Sequence, residues 1–341
     1  MSAISVLIPM YNRKHYIAQA IDSVFNQTFQ DFELIVRDDG STDGSADFVA
    51  EKYADAIKSG KLKLRRNEKN IGQFLTDNRL LREATGKYVM VLHSDDLYLP
   101  YALEHMYKIA EQFQADVVHE CKHLITDFNG VIKKDTPLKI SYYDKLQVKD
   151  VTVMPTDPAV RFSMWLADIG IDAQHNIFNR QFILENDLCF ETFGGNRLLA
   201  FKWLMRAKVL VKTPISIYIY RDSPDSQSRS KVPPERVAKY IAHQFELSRH
   251  LDEYFAMDDF FKDNPELQYL ARSNFFQIFD NRWINKHVVY RNGITPELHA
   301  AVEAAFREHF GKDAAFPTFL FHWVHAALCG QPATVLNVPK A

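Results

Sequence analysis

The stretch ATGKYVMVLHSDD, residues 84–96, decides how this chain folds. Its apolar run, YVMVL at 88–92, is short and rich in β-branched and aromatic residues, the pattern of a strand buried on both faces. The run stops abruptly on His93, Ser94, Asp95 and Asp96. Upstream the same alternation repeats. ISVLI at 4–8 predicts a buried strand, and residues 15–27 predict a helix from the spacing of Ile17, Ala20, Ile21 and Val24. FELIV at 32–36 predicts a second strand, ending in the polar turn DDGSTD at 38–43. Residues 45–57 predict a helix, 61–65 a strand and 74–84 a helix. Downstream, Pro100 suits a first helical position and predicts a helix over 101–113, followed by a strand over 116–119.

Repeated β-α-β units with tight connections imply an α/β fold: a mainly parallel, doubly wound sheet, Rossmann-like, with helices on both faces. Ligands in such sheets bind outside the carboxyl ends of the strands, where both acidic clusters fall. Residues 121–156 read as irregular, with a hairpin signal at 127–130. A further α/β stretch spans 158–220 and closes on ISIYIY at 215–220, before a turn-rich loop over 221–230. Helical patterns then fill 235–254, 265–284, 296–310 and 316–328. The reading is therefore an α/β domain over 1–230 and an all-helical C-terminal region over 231–341.

Composition narrows the function. The 341 residues carry 41 Lys plus Arg against 43 Asp plus Glu, a net charge of −2. That balance argues against a dedicated nucleic-acid binder. Cys121, Cys189 and Cys329 are too scattered for a disulfide framework or zinc cluster and read as free thiols. The N-terminus has no basic n-region or apolar run of signal-peptide length, and no run of about 18 apolar residues occurs. The nearest approach, FPTFLFHWVHAAL at 316–328, is broken by Pro317, His322 and His325 and reads as a buried or interface helix. Cytoplasmic placement is the expectation, with peripheral contact at the inner face of a membrane as a minor option.

Asp95 and Asp96 are adjacent carboxylates at a strand end, which repel unless a cation joins them. Mg2+ takes one or two carboxylates together with substrate phosphates, so one reading is a metal held against a diphosphate. The other is a helix cap, with Asp96 closing the turn before Pro100. Asp38 and Asp39 carry a similar choice between ribose or base recognition and a turn with a capped helix. No glycine-rich phosphate loop follows the first strand, where PMYNR stands at 9–13, so dinucleotide dehydrogenases and P-loop NTPases are disfavoured.

Together SVLIPMYNR at 5–13, FNQTFQDFELIVRDDGSTD at 25–43, NIGQ at 70–73 and ATGKYVMVLHSDD at 84–96 strongly resemble the family 2 glycosyltransferases of the GT-A fold. The resemblance implies a nucleotide-sugar-dependent, inverting enzyme. On it, Pro9 and Tyr11 line the nucleotide base, Asp39 hydrogen-bonds uracil, and Asp95 lies near ribose and sugar. Asp96 binds Mn2+ or Mg2+ against the diphosphate. Arg13, Asn70 and Gly72 belong to the nucleotide-sugar motifs, and Arg79 stands where a cation facing phosphate or a solvated helix face would serve. The implied partners are a UDP-sugar donor and a saccharide, lipid-linked or peptide acceptor. The C-terminal helices are read as an acceptor platform, a homodimer interface or a membrane-facing surface.

Two positions depart from the family pattern. His93 stands where a further acid is common. Aligning FKWLMR at 201–206 with the family's aromatic-rich helix puts Leu199 and Ala200 where a Glu-Asp pair supplies the general base, and FGGNR at 193–197 holds no carboxylate. Glu191, Asp172 and His175 are the candidate substitutes. The missing pair keeps open a non-catalytic sugar-nucleotide-binding or scaffold protein. A nucleotidyltransferase would share the acidic sheet but lacks its basic glycine-rich loop here.

Overall fold

Two strands, β1 (Ile4–Met10) and β2 (Phe32–Asp38), are buried along their whole length and pair in parallel from Ile4 opposite Phe32 to Met10 opposite Asp38. Burial on both faces is what a parallel sheet demands of its central strands, and it explains their near-continuous apolar sequence. The computed structural model describes residues 2–126, 132–133, 138–142, 148–167, 175–188, 195–222, 247, 250–278, 296–297, 300, 303–304 and 307–308. The chain divides into two units, Met1–Ser223 and Pro224–Ala341.

In the first unit β3 (Leu62–Arg66) and β4 (Tyr88–Val91) complete a parallel set in the order β3-β2-β1-β4. The crossovers are helical. They comprise α1 (Ile17–Phe25), then α2 (Ser45–Lys52) with α3 (Ala54–Lys58), then α4 (Gln73–Glu83). α1 buries Ile17, Ala20, Ile21 and Val24, the stripe its spacing predicts. The single helix expected over 45–57 is instead two, interrupted at Tyr53 (φ −112°), whose ring is buried and whose hydroxyl donates to Asp22 at 2.7 Å. Tertiary packing of the tyrosine overrides the local helical pattern.

After β4 come β5 (Leu97–Tyr98), α5 (Ala102–Phe113), β6 (Val117–Glu120) and β7 (Lys122–Thr126). β8 (Lys139–Tyr142) and β9 (Thr152–Val153) follow, within the stretch that reads as irregular from sequence. Their short segments carry little apolar periodicity, with Ile140 and Val153 exposed, and cross-strand pairing makes them strands. The hairpin signal at 127–130 lies outside the described residues. Then come α6 (Pro158–Leu166), β10 (Asn176–Asn179), α7 (Arg180–Glu185), α8 (Gly195–Arg206), β11 (Leu210–Thr213) and β12 (Tyr218–Arg221).

The large sheet has the order β3-β2-β1-β4-β10-β6-β11-β9. β10 runs antiparallel between β4 and β6, and β9 runs antiparallel to β11 at the edge. The antiparallel β10 brings its own beginning to the edge where β4 and β6 end. A second sheet, β5-β12-β7-β8, grows from that same edge, since β5 follows Asp96 and β7 follows Glu120. The apolar core packs α1 and α5 against this framework, with Met106, Ile109, Tyr88 and Met90 buried in it.

In the second unit the described residues are helical over 250–257 and over Pro265–Ile278, and at 296–297, 300, 303–304 and 307–308. Phe255 and Phe261 pack with ring centroids 4.9 Å apart, and the Arg272 guanidinium lies 5.2 Å from the Phe255 ring. Residues 316–328 lie outside the described residues, as do Cys189 and Cys329, while Cys121 is buried. Among the described residues no helix is long and apolar enough to cross a membrane.

One buried carboxylate braces the parallel strands. Glu33 on β2 accepts from Ser5 Oγ on β1 at 2.6 Å, from Lys63 Nζ on β3 at 2.6 Å, and from Thr85 N and Oγ1 at 2.7 Å before β4. Burial alone would raise its carboxyl, but the Lys63 ammonium and these hydrogen bonds outweigh it and bring the pKa down from 4.5 to about 2. Glu33→Ala strands several buried donors and should cost about 2–4 kcal/mol at pH 7, read as a lower denaturant midpoint. A depressed folded-state pKa stabilises above the unfolded value, so this contribution should be complete above pH 4.5 and fade toward about 2. Wild-type and variant stabilities should therefore converge on acidification, and a constant gap down to the acid end would contradict the ionic brace.

Candidate active site at the strand ends

The polar residues singled out in the sequence collect at the carboxyl ends of β1, β2 and β4. Pro9 is buried near the end of β1, and Tyr11 beyond it is 38% exposed. Asn12 adopts φ +52° and ties the two strand ends together: its N–H donates to Ser41 Oγ at 2.8 Å and its Oδ1 accepts from Thr42 N at 2.8 Å. Asp43 accepts from Lys14 N and Ser45 N at 3.0 and 2.9 Å, holding the start of α2 against the β1 turn.

Asp39 is buried at the end of β2 and grips the loop before α4. Its carboxylate accepts from Ile71 N, Gly72 N and Asn67 Nδ2, each at 2.9 Å. Gly40 makes the approach feasible: at φ +71°, a Cβ there would stand 2.8 Å from Asn70 N. Asn70 itself is exposed, and Gly72, at φ +93°, leads into α4. Asp39 is thus both a strand-end acid and the clip that shapes the NIGQ loop. Arg79 is exposed on α4, with its guanidinium on Asn67 Oδ1 at 2.7 Å. Its place in this structure is a polar stack on Asn67, which Arg37 also joins at 2.9 Å. Asp77, on the buried face of α4, went unnoticed in the sequence; burial and the Asp39 charge push its carboxyl well up.

The adjacent acids separate sharply. The Asp95 side chain is 21% exposed and pairs with Arg13 Nε at 3.3 Å. The Asp96 side chain is 2% exposed; its Oδ2 accepts from Tyr218 Oη at 2.7 Å and its Oδ1 from Arg221 N at 2.7 Å. The cap reading of Asp96 is corrected: α5 begins after Tyr101 with no side-chain cap, and the carboxylate is committed to β12. Burial and the neighbouring Asp95 push the Asp96 carboxyl above the usual range, against the Arg221 and Tyr218 hydrogen bonds. Arg221 also donates from Nε to the Asp95 carbonyl at 2.7 Å and lies 4.9 Å over the Tyr16 ring.

Beside Asp96 lies a cavity of about 310 Å³ lined by His93, Asp96, His123, Ile125, His175, Tyr218 and Tyr220. His175 precedes β10 and is buried, its Nδ1 2.6 Å from Glu120 Oε1. A carboxylate acceptor there requires the N–H on Nδ1 and makes Nε2 the proton-accepting nitrogen of the ring. His93 Nδ1 stands 3.9 Å from Asp96 Oδ2, in the place of the acid the family pattern suggests. Leu199 and Ala200 are buried in α8, at 2% and 4% exposure, beside the Trp165–Phe201 contact that joins α8 to α6. Asp172 and Glu191 lie outside the described residues. Glu120, His123, Tyr218 and Arg221 were not found from sequence; the polar run HECKH at 119–123, closing a strand, was the available signal.

The comparisons with known proteins agree with this architecture. A family model described as Glycosyl transferase family 2 matches residues 5–184. The poly(ribitol-phosphate) beta-N-acetylglucosaminyltransferase TarP of Staphylococcus aureus is 27% identical over 250 residues, covering 71% of this chain and 70% of TarP. An uncharacterised glycosyltransferase of Methanocaldococcus jannaschii is 28% identical over 141 residues, 41% of this chain; the chain spans 48% of that relative's length. Among solved structures, S. aureus TarS 1-349 in complex with UDP-GlcNAc superposes with a TM-score of 0.63 at 17% identity, covering 95% of this chain and 87% of that one. The mixed α/β sheet is therefore the GT-A fold expected from the four motifs. With the family model matched over more than half of its length, the chain belongs to glycosyl transferase family 2.

Proposed function

We propose that the strand-end site binds a UDP-sugar with a divalent cation and transfers the sugar, with inversion, to an acceptor hydroxyl. The observation that carries this reading is the gathering on one sheet edge of three features. They are the Asp39-gripped loop, the Arg13–Asp95 pair and the Asp96–His175 cavity. They suit, in that order, a base, a diphosphate and a reacting sugar. Asp39 keeps an acceptor position for uracil beyond its three loop donors, since a carboxylate offers about four lone-pair sites.

The acids fit a hard cation such as Mn2+ or Mg2+. Asp95 presents a partly exposed oxygen pair, and Asp96 lines the cavity with a carboxyl whose buried charge a cation would compensate. Because Tyr218 and Arg221 hold both Asp96 oxygens, Asp95 is the better placed primary ligand, with Asp96 supporting. The ion would supply charge neutralisation on the departing diphosphate. Arg13 steers the donor phosphates toward the strand ends. The acceptor oxygen bonds to the anomeric carbon as the bond to the UDP oxygen breaks, and its electron pair leaves with UDP. The acceptor proton passes to His175, which Glu120 holds in the required tautomer.

Similarity to TarP supports an N-acetylhexosamine donor and a surface-polymer acceptor within the saccharide, lipid-linked and peptide classes. Residues 231–341 are assigned to the acceptor side, because every donor-side residue named lies at or before Arg221. Sugar-nucleotide binding without transfer is the second reading, favoured by the buried apolar pair Leu199 and Ala200.

Two measurements test the proposal. Calorimetry of UDP binding should show cation-dependent affinity in the wild type, and Asp95→Asn should remove that dependence. Equal affinity with and without EDTA would reject the metal site. His175→Ala should lower kcat by roughly 10²- to 10⁴-fold, the usual worth of a positioned base, while UDP affinity stays unchanged. A wild type that binds UDP yet transfers nothing across a panel of donors and acceptors would favour the second reading, and an active His175→Ala would place the base elsewhere.

A further inference from the structure

Glu120 ends β6, His123 is the second residue of β7, and His175 immediately precedes β10. Three strand ends thus bring one carboxylate oxygen and two imidazole nitrogens within 4.8 Å of one another. The His123 and His175 rings stack with centroids 4.8 Å apart and planes 13° from parallel. Both line the cavity of about 310 Å³, roomy enough for an ion carrying a water ligand.

We propose that Glu120, His123 and His175 form a binding site for a borderline transition-metal cation of the Zn2+ class, distinct in its donors from the carboxylates at Asp95 and Asp96. Two imidazoles and one carboxylate suit Zn2+, which keeps a fourth position for water, whereas Mg2+ prefers an all-oxygen shell. Zinc–nitrogen bonds of about 2.0–2.1 Å set the donors roughly 3.3 Å from one another. The 2.6 Å hydrogen bond between His175 and Glu120 opens and the His123 ring turns out of its stack on His175 to bring both lone pairs onto one ion, while the strands hold the backbone. The consequence rests on the reading of His175 as the base: an ion on its ring withdraws the base, so Zn2+ arrests transfer while UDP stays bound.

The test uses the full chain, stripped with a chelator and titrated with Co2+ as a visible probe and with Zn2+ by calorimetry. One Zn2+ per chain and an intense tetrahedral Co2+ band are expected. His123→Ala should lose the band and weaken Zn2+ by at least about 10-fold, while Asp95→Asn keeps both. His123→Gln, closer in volume and polarity, replaces the alanine variant if that one fails to fold. Lack of a Co2+ band in the wild type, or an unchanged band and affinity in the His123 variants, overturns the site. Zn2+ that arrests transfer in the wild type but not in His123→Ala supports both the site and its consequence. Zn2+ that binds through His123 yet leaves transfer running keeps the site and overturns the base assignment.

Discussion

The carboxylate of Asp96 is the tie on which the strand-end edge depends. It sits just beyond the end of β4 and is held by Tyr218 Oη and Arg221 N of β12, an inner strand of the small sheet. The antiparallel pairing of β5 with β12, Tyr98 opposite Tyr218, works with this tie to bring β12, more than a hundred residues later, to this place. A buried acid with fewer donors would be costly, so the two β12 donors and the acid impose each other's positions. The Tyr98 ring packs edge-on against Tyr218 at 5.7 Å and continues the same contact.

That tie divides labour between adjacent residues. Asp96 points inward and makes the wall; Asp95, one residue earlier, points to the open side and meets Arg13 from the end of β1. A turn at Ser94 and Asp95, closed by Asp96 N–H donating to the His93 carbonyl at 3.1 Å, sets the two side chains apart. Asp39, at the end of β2, fixes the loop around Gly72 by accepting from Ile71 N and Gly72 N. Asp39 and Asp96 both hold the backbone around them, Asp39 the loop before α4 and Asp96 the strand β12.

The other half of the edge is built from a different chemistry. β10 is antiparallel, so its beginning, not its end, reaches the edge, and His175 arrives beside Glu120 and His123. The His123 and His175 imidazoles line the cavity together with Asp96.

The sequence by itself determined the β-α-β order of the first hundred residues, the strand-end placement of Pro9, Tyr11, Arg13, Asp39, Asp95 and Asp96, and membership of the family. These follow from local signals: short apolar runs, helical spacing and turn residues next to acids. It left β7, β8 and β9 unread, because these short strands owe their conformation to cross-strand partners and not to periodicity. Only the tertiary structure decided that Asp96 is sealed while Asp95 is open, that Arg79 rests on Asn67, and that Glu120 and His123 join His175. Each of those outcomes depends on a hydrogen bond or ring contact between residues 12 to 126 positions apart, and such pairings leave no local trace in a single chain.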